Sequence, residues 1–261
     1  MPNKVPIFAF LGCTNFSKSL LLHLIDNGYI PAVIFTIPKE FTISYSSEKI
    51  QNSNFANLKE IANQNSIPIF EVESKKGMRL DDYQDVIQDM RVELMLVLGW
   101  YYMISKSVRE SLKYGAWGIH ASLLPKYAGG APLSWAIIKG EVETGVTLFR
   151  MDDGVDDGDI IAQKSFEIHQ KDTIKDVYIK ADEVSKIVLS EVLGDIRSVV
   201  FAPQDKSAIK IYPQRCPADG ELDLNQTSEQ LYNFIRAQSS PYPGAFIKTV
   251  DGKKLIIEKA R

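Results

Sequence analysis

The chain has 261 residues, 45% of them hydrophobic, enough for one large domain with a buried core or for one domain and a small appendage. Thirty basic residues against 33 acidic ones give a formal net charge of -3, so no broad cationic surface faces a phosphate backbone and nucleic acid is a poor partner. No segment approaches the roughly 20 apolar residues of a membrane span, and the two cysteines, Cys13 and Cys216, have no metal-ligand spacing and fit a cytoplasmic chain with reduced thiols.

Along the chain, short β-branched apolar runs alternate with amphipathic stretches, the pattern of a parallel sheet with crossover helices. Residues 5–11, 30–36, 67–72 and 94–98 read as strands covered on both faces, with helices at 20–27, 57–64 and 80–89 between them. The first run stops at Gly12 and gives way to polar residues, which suits a strand better than a signal peptide. A fifth strand at 117–121, a helix at 133–139, strands at 145–151 and 160–168 and a long helix at 174–193 complete the domain. The fold class is therefore α/β, a Rossmann-like open, mostly parallel sheet with flanking helices, assigned to residues 1–200. Residues 201–261 form a small C-terminal extension with a short helix at 231–237 and a β-hairpin at 245–258. Asp251 and Gly252 sit between its two β-rich runs and predict a two-residue type I′ turn.

With three histidines in the chain, the search for an acid or base is short. His23 falls on an amphipathic helix and His169 in a charged turn, which are structural and surface positions. His120 is different, because it ends the fifth strand inside GIHASLLPKYAGGAP, at the edge where open α/β sheets place their ligands. A second feature, MDDGVDDGD, follows another strand and carries Asp152, Asp153, Asp156, Asp157 and Asp159. One of these carboxylates beside the imidazole would fix its tautomer and raise its basicity, as general base catalysis requires. Two other readings of the loop stay open. It could hold a hard cation, although the spacing is not that of an EF-hand, or it could be a polar turn with capping aspartates.

The stretch 99–163 resembles the formyltransferase family that uses 10-formyltetrahydrofolate. That family carries N-x-H-x-S-L-L-P, a loop with glycine and proline, and then D-x-G. Here His120, Ser122, Leu123, Leu124 and Pro125 match the first element, Gly130 and Pro132 the second, and Asp156 with Gly158 the third. LGWYYMI is similar to the segment lining the pterin pocket, and the R-x-P-x-D-G and P-Y-P-G-A-F runs resemble the segment after the catalytic domain in sugar-nucleotide and tRNA formyltransferases. The resemblance implies His120 as the proton-transfer group, Asp156 as its partner, and a folate site formed by Tyr102, Met103, Ile104, Ser122, Leu123, Leu124, Pro125, Asp153 and Asp156. It implies no metal.

One departure stands out: the family's Asn, two residues before the histidine, is Gly118 here. In the family that amide donates to the developing oxyanion, a contact typically worth about two to three orders of magnitude in rate. Protonated His120, a backbone N–H of the Ser122 loop, or a water in the space left by the glycine are the candidate substitutes, and a catalytically weakened ligand-binding relative is the alternative.

The resemblance also bears on the acceptor. A methionyl-tRNA formyltransferase-like enzyme is the runner-up, but it would be longer and end in a basic domain. The amine of a nucleotide-linked amino sugar, of the dTDP-4-amino-6-deoxyhexose type, fits better. Gly12, Cys13, Thr14 and Asn15 after the first strand, Lys76, and Tyr242 are the expected contacts for that substrate, and a homodimer is the expected assembly.

Overall fold

The structure, a computed structural model, describes residues 5–41, 50–52, 54–72 and 80–261. Its first half runs β1 (Phe8–Leu11), α1 (Asn15–Asp26), β2 (Val33–Thr36), the short pair β3 (Glu40–Phe41) and β4 (Ile50–Gln51), α2 (Lys59–Gln64) and β5 (Ile69–Glu71). A 3-10 turn at Leu80–Tyr83 leads into α3 (Gln84–Asp89), followed by β6 (Leu94–Val97), α4 (Lys106–Ser111) and β7 (Gly115–His120). Next come β8 (Ala128–Gly129), α5 (Pro132–Ile138), β9 (Glu143–Arg150), β10 (Ile160–Glu167) and α6 (Ile174–Gly194). The remainder carries β11 (Ile211–Tyr212), α7 (Ser228–Gln238), β12 (Ala245–Lys248) and β13 (Lys254–Ile257).

Seven strands make one sheet in the order β10-β9-β7-β6-β1-β2-β5. Pairing is parallel from β5 to β7, whereas β9 runs antiparallel to both β7 and β10. The apolar runs explain why this sheet is covered on both sides. Phe8, Phe10, Ile34, Leu94 and Leu96 join Leu20, Leu24, Val188 and Leu189 of α1 and α6 in one buried cluster. The alternating residues Ala9, Leu11, Val33, Phe35, Met95 and Val97 join Ile87 and Val108 of α3 and α4 in another. A period of two along each strand thus feeds two cores.

The chain reverses its winding between β1 and β6, the kind of switch point where ligands bind outside the carboxyl ends of the strands. There the first turn of α1 is tied to the end of β6. Ser17 Oγ donates to Leu98 O at 2.5 Å, and Cys13 N donates to Gly99 O at 3.1 Å.

Three expectations need correction. Helix α1 begins at Asn15 rather than near residue 20, because Thr14 and Ser17 cap each other's backbone at its start. Helix α4, absent from the sequence reading, is a short helix with Ser105 as its N-cap. The hairpin forms, but its turn is not type I′, since that type needs two consecutive residues with positive φ and only Gly252, at +78°, has one. Gly252 N donates to Thr249 O at 2.9 Å and Thr249 N to Lys253 O at 2.9 Å, which describes a three-residue loop, a type I turn followed by a left-handed glycine.

Candidate active site

His120 is the last residue of β7, where its Cα pairs with Thr147 of β9, and it is buried. Its Nε2 lies 2.8 Å from Tyr127 O, and its Nδ1 lies 3.4 Å from Asp156 Oδ2. A carbonyl oxygen only accepts, so Nε2 carries a hydrogen and donates it. In a neutral ring with that tautomer, Nδ1 is the free basic nitrogen and it faces the carboxylate. Each ring nitrogen thus has one oxygen within reach, Tyr127 O for Nε2 and Asp156 Oδ2 for Nδ1.

Asp156 is held just as firmly. Its Oδ2 accepts from Gly129 N at 2.8 Å, and its own φ of +51° lies in the left-handed region, at a cost on the order of 1 kcal/mol for a residue with a side chain. Gly129, at φ +94°, is obligatory: a Cβ there would fall 2.4 Å from Tyr212 O. The parallel pairing of β8 with β11, the Tyr127 and Tyr212 rings at 4.9 Å, and the Trp135 Nε1 bond to Pro213 O at 2.9 Å brace this loop from the C-terminal segment.

The SLLP turn is fixed from beneath by two side chains that the sequence reading did not assign to a role. Thr147 Oγ1 donates to Ser122 O at 2.6 Å and accepts from Leu124 N at 3.1 Å, while Gln163 Nε2 donates to Leu124 O at 2.7 Å. The Leu124-Pro125 peptide is cis. Ser122 turns its hydroxyl inward to Lys126 O at 2.6 Å.

Beside the pair lies a mostly apolar depression lined by Met103, Ile104, Phe149, Met151, Val155 and Asp156. Three of the residues expected to contact folate therefore share it: Met103, Ile104 and Asp156. Tyr102 is buried behind it against the rings of Phe41 and Trp100, each at 5.7 Å, and Leu124 packs with Ala128 and Phe149. Asp153 is exposed and bound to Arg109, whose hydrogen bond holds its carboxyl below the usual carboxylate range. Arg109 escaped the sequence reading, yet it ties the two rims of the depression, with Nε donating to Ile104 O at 3.3 Å and Nη1 to Met151 O at 3.2 Å.

Gly118 lies behind two of the residues that line this depression, Phe149 and Met151. A Cβ added to it would lie 3.3 Å from Phe149 Cε1 and 3.5 Å from Met151 Cγ, so an aromatic ring and a thioether stand in front of the glycine rather than open space for a water. Since Phe149 is itself packed against Leu124 and Ala128, an asparagine here has to force it aside. Gly118→Asn is expected to destabilise the fold by about 1–3 kcal/mol and to leave turnover equal or lower. Thermal unfolding and initial rates check this, and a tenfold gain in turnover would show that the wild-type site lacks an effective substitute for the amide.

Of the residues expected to contact the acceptor, Gly12 admits no side chain, because its Cβ would sit 2.5 Å from Ser17 Cβ and 2.6 Å from Leu98 O. Thr14 is buried as the N-cap of α1, and burial pushes the Cys13 thiol up to about 12. Asn15 exposes its side chain at the switch point and bonds Asn54 Oδ1 at 2.9 Å. Tyr242 shares a short hydroxyl contact with Tyr178 of α6. Burial, and then Tyr242 and Tyr101, shift the Tyr178 hydroxyl upward. Lys76 lies outside the described residues. Among the described residues no group of three or more His, Cys, Asp or Glu side chains is arranged to hold a metal ion, and no helix is long and apolar enough to cross a membrane.

A buried imidazole beside a carboxylate, at the carboxyl edge of an open α/β sheet and next to an apolar depression, is the arrangement that acid–base chemistry on a bound ligand requires. Comparison with known proteins narrows this class. The formyl transferase family model matches residues 5–193 and the formyl transferase C-terminal domain model matches residues 216–261, so the chain belongs to the formyl transferase family. It is 35% identical over 223 residues to the bifunctional polymyxin resistance protein ArnA of Wigglesworthia glossinidia brevipalpis, a match that takes in 83% of this chain but only 32% of that longer relative. Among solved structures it is similar to an N-formyltransferase from Helicobacter canadensis (TM-score 0.66, 22% identity, 89% of this chain and 80% of that one). It also resembles a 4-N formyltransferase from Francisella tularensis (TM-score 0.71, 19% identity, 97% and 98%). At these identities the structural matches speak to the fold.

Proposed function

We propose that this protein transfers the formyl group of 10-formyltetrahydrofolate to the primary amine of a nucleotide-linked amino sugar of the dTDP-4-amino-6-deoxyhexose type, in the cytoplasm, as a step toward surface polysaccharide. The observation that carries the reading is the His120–Asp156 pair at the mouth of the apolar depression. A flat pterin is accommodated by apolar walls with a few fixed polar groups, as the depression provides. The neutral amine attacks the formyl carbon, a C–N bond forms, and His120 takes the proton released from the attacking nitrogen. Collapse breaks the bond to the folate nitrogen, which receives a proton, leaving tetrahydrofolate and the formamide. Holding both substrates at one edge supplies much of the acceleration.

The Helicobacter canadensis relative was solved with folinic acid and dTDP-3-aminofucose, which supports both the folate and the sugar-nucleotide parts of the reading. The net charge of -3 speaks against tRNA as the acceptor. Asn15, Tyr242 and Lys76 are the residues we assign to the sugar nucleotide. Incubation with 10-formyltetrahydrofolate and a panel of dTDP- and UDP-linked 3- and 4-amino sugars, followed by mass spectrometry, tests the acceptor. A formyl adduct on one of the sugars supports the proposal, and formylation of methionyl-tRNA alone overturns it.

The hairpin also bears on assembly. Ala245 of β12 is buried with Leu222 and Ile235 and its neighbour Phe246 is buried as well, whereas Leu255 and Ile256 of β13 are about half exposed. A two-stranded ribbon is marginal by itself, and the exposed strand is a ready face for a second copy. Light scattering at micromolar concentration is expected to give twice the chain mass of 29.3 kDa, and a monomer would remove the dimer from the proposal.

A further inference from the structure

We propose that Gln204 is a positioning residue for the catalytic pair, acting on His120 through Asp156. The inference rests on the reading of that pair given above. Gln204 lies in the segment between the two matched family regions, 5–193 and 216–261. This segment returns from α6 to the edge of the sheet, where Ala202 and Ile160 exchange two backbone hydrogen bonds of 2.8 Å. Two residues later Gln204 is buried, and its Nε2 donates to Asp156 O at 2.8 Å and to Gly158 O at 2.7 Å.

Both acceptors are carbonyl oxygens, so the end of the amide that faces them must be the NH2, and its two hydrogens are both used. The Gln204 Oε1 atom is buried with no hydrogen-bond partner among the described residues. The contacts that tie Gln204 to this loop are therefore those of its nitrogen.

Its nitrogen clamps a tightly constrained stretch of the acidic loop. Asp156 sits at φ +51°, and a Cβ on Gly158 would fall 1.7 Å from Arg150 O. The Asp156 carboxylate has one productive place, with Oδ2 between Gly129 N and His120 Nδ1. Without the clamp the left-handed turn is free to relax, and small displacements of reacting groups cost much in rate.

The test uses the full chain as wild type, Gln204→Leu, Asp156→Asn and the double variant, assayed with 10-formyltetrahydrofolate and a dTDP-4-amino-6-deoxyhexose. Leucine keeps the volume and removes both donors. Gln204→Met, unbranched and of similar length, serves the same purpose if the leucine variant does not fold. Gln204→Leu is expected to lower kcat about tenfold with KM for both substrates within about twofold, and to have almost no further effect in the Asp156→Asn background. An acceptor-independent readout is available because the chain has three histidines, which makes its imidazole nitrogen NMR spectrum assignable. The His120 Nδ1 resonance should move in Gln204→Leu in the direction it moves in Asp156→Asn, with His23 and His169 unchanged. Equal losses of kcat in both backgrounds, or a lowered melting temperature with an unmoved His120 signal, would overturn the inference. If Asp156→Asn is impaired while Gln204→Leu is normal, this inference alone falls. A normal Asp156→Asn removes the reading of the pair and this inference with it.

Discussion

His120→Asn is expected to lower turnover by at least about 10²-fold while leaving the binding of both substrates nearly intact. Asparagine is polar and smaller than the imidazole, so it fits the buried position at the end of β7, and its amide can still donate a hydrogen bond. What it cannot do is take a proton. Nδ1, the nitrogen that faces Asp156 at 3.4 Å, is lost, and with it the proton acceptor that the proposed mechanism assigns to the attacking amine. The loss should therefore appear in kcat, with folate and sugar-nucleotide dissociation constants unchanged in equilibrium titration. Near-normal turnover would strip His120 of its role. A large rise in both dissociation constants would instead mark it as a residue that shapes the pocket.

Why this residue could be picked out in the sequence, and others could not, has a physical explanation. His120 announces itself because a parallel strand ends on it and a Pro- and Gly-rich loop follows, and such ends line ligand crevices. The two-sided apolar strands and helix α6 were legible for a similar reason, since hydrophobic period alone determines which faces are covered. Thr147 and Gln163 gave no signal. Thr147 acts on Ser122 and Leu124 only because β9 runs antiparallel to β7 and places it opposite His120, a register that no local pattern encodes. Arg109 was hidden inside a helix too short to show periodicity. Gln204 was hidden in a stretch that reads as a linker and whose contacts lie 46 and 48 residues away. The hairpin turn failed in an instructive way. Asp-Gly identified the turn, but glycine alone took up the positive φ, and the loop lengthened to three residues around it.

Asp156→Asn is expected to reduce turnover by about 10²-fold or more, and the comparison with Asp153→Asn separates chemistry from loop structure. The amide is nearly isosteric and can keep the contact to Gly129 N through its oxygen. It carries no charge to offset the imidazolium that forms when His120 takes the proton, and turning its NH2 toward Nδ1 would occupy the very lone pair the reaction needs. The defect is thus expected in kcat, with little change in folding stability. Asp153 sits three residues earlier, exposed, and spends its charge on Arg109 at the rim. An exposed ion pair contributes little to stability, so Asp153→Asn should leave turnover within about threefold of wild type. The reverse ranking would show that the carboxylate serving His120 is not Asp156, and that the acidic loop is shifted by one turn relative to the chemistry assigned to it.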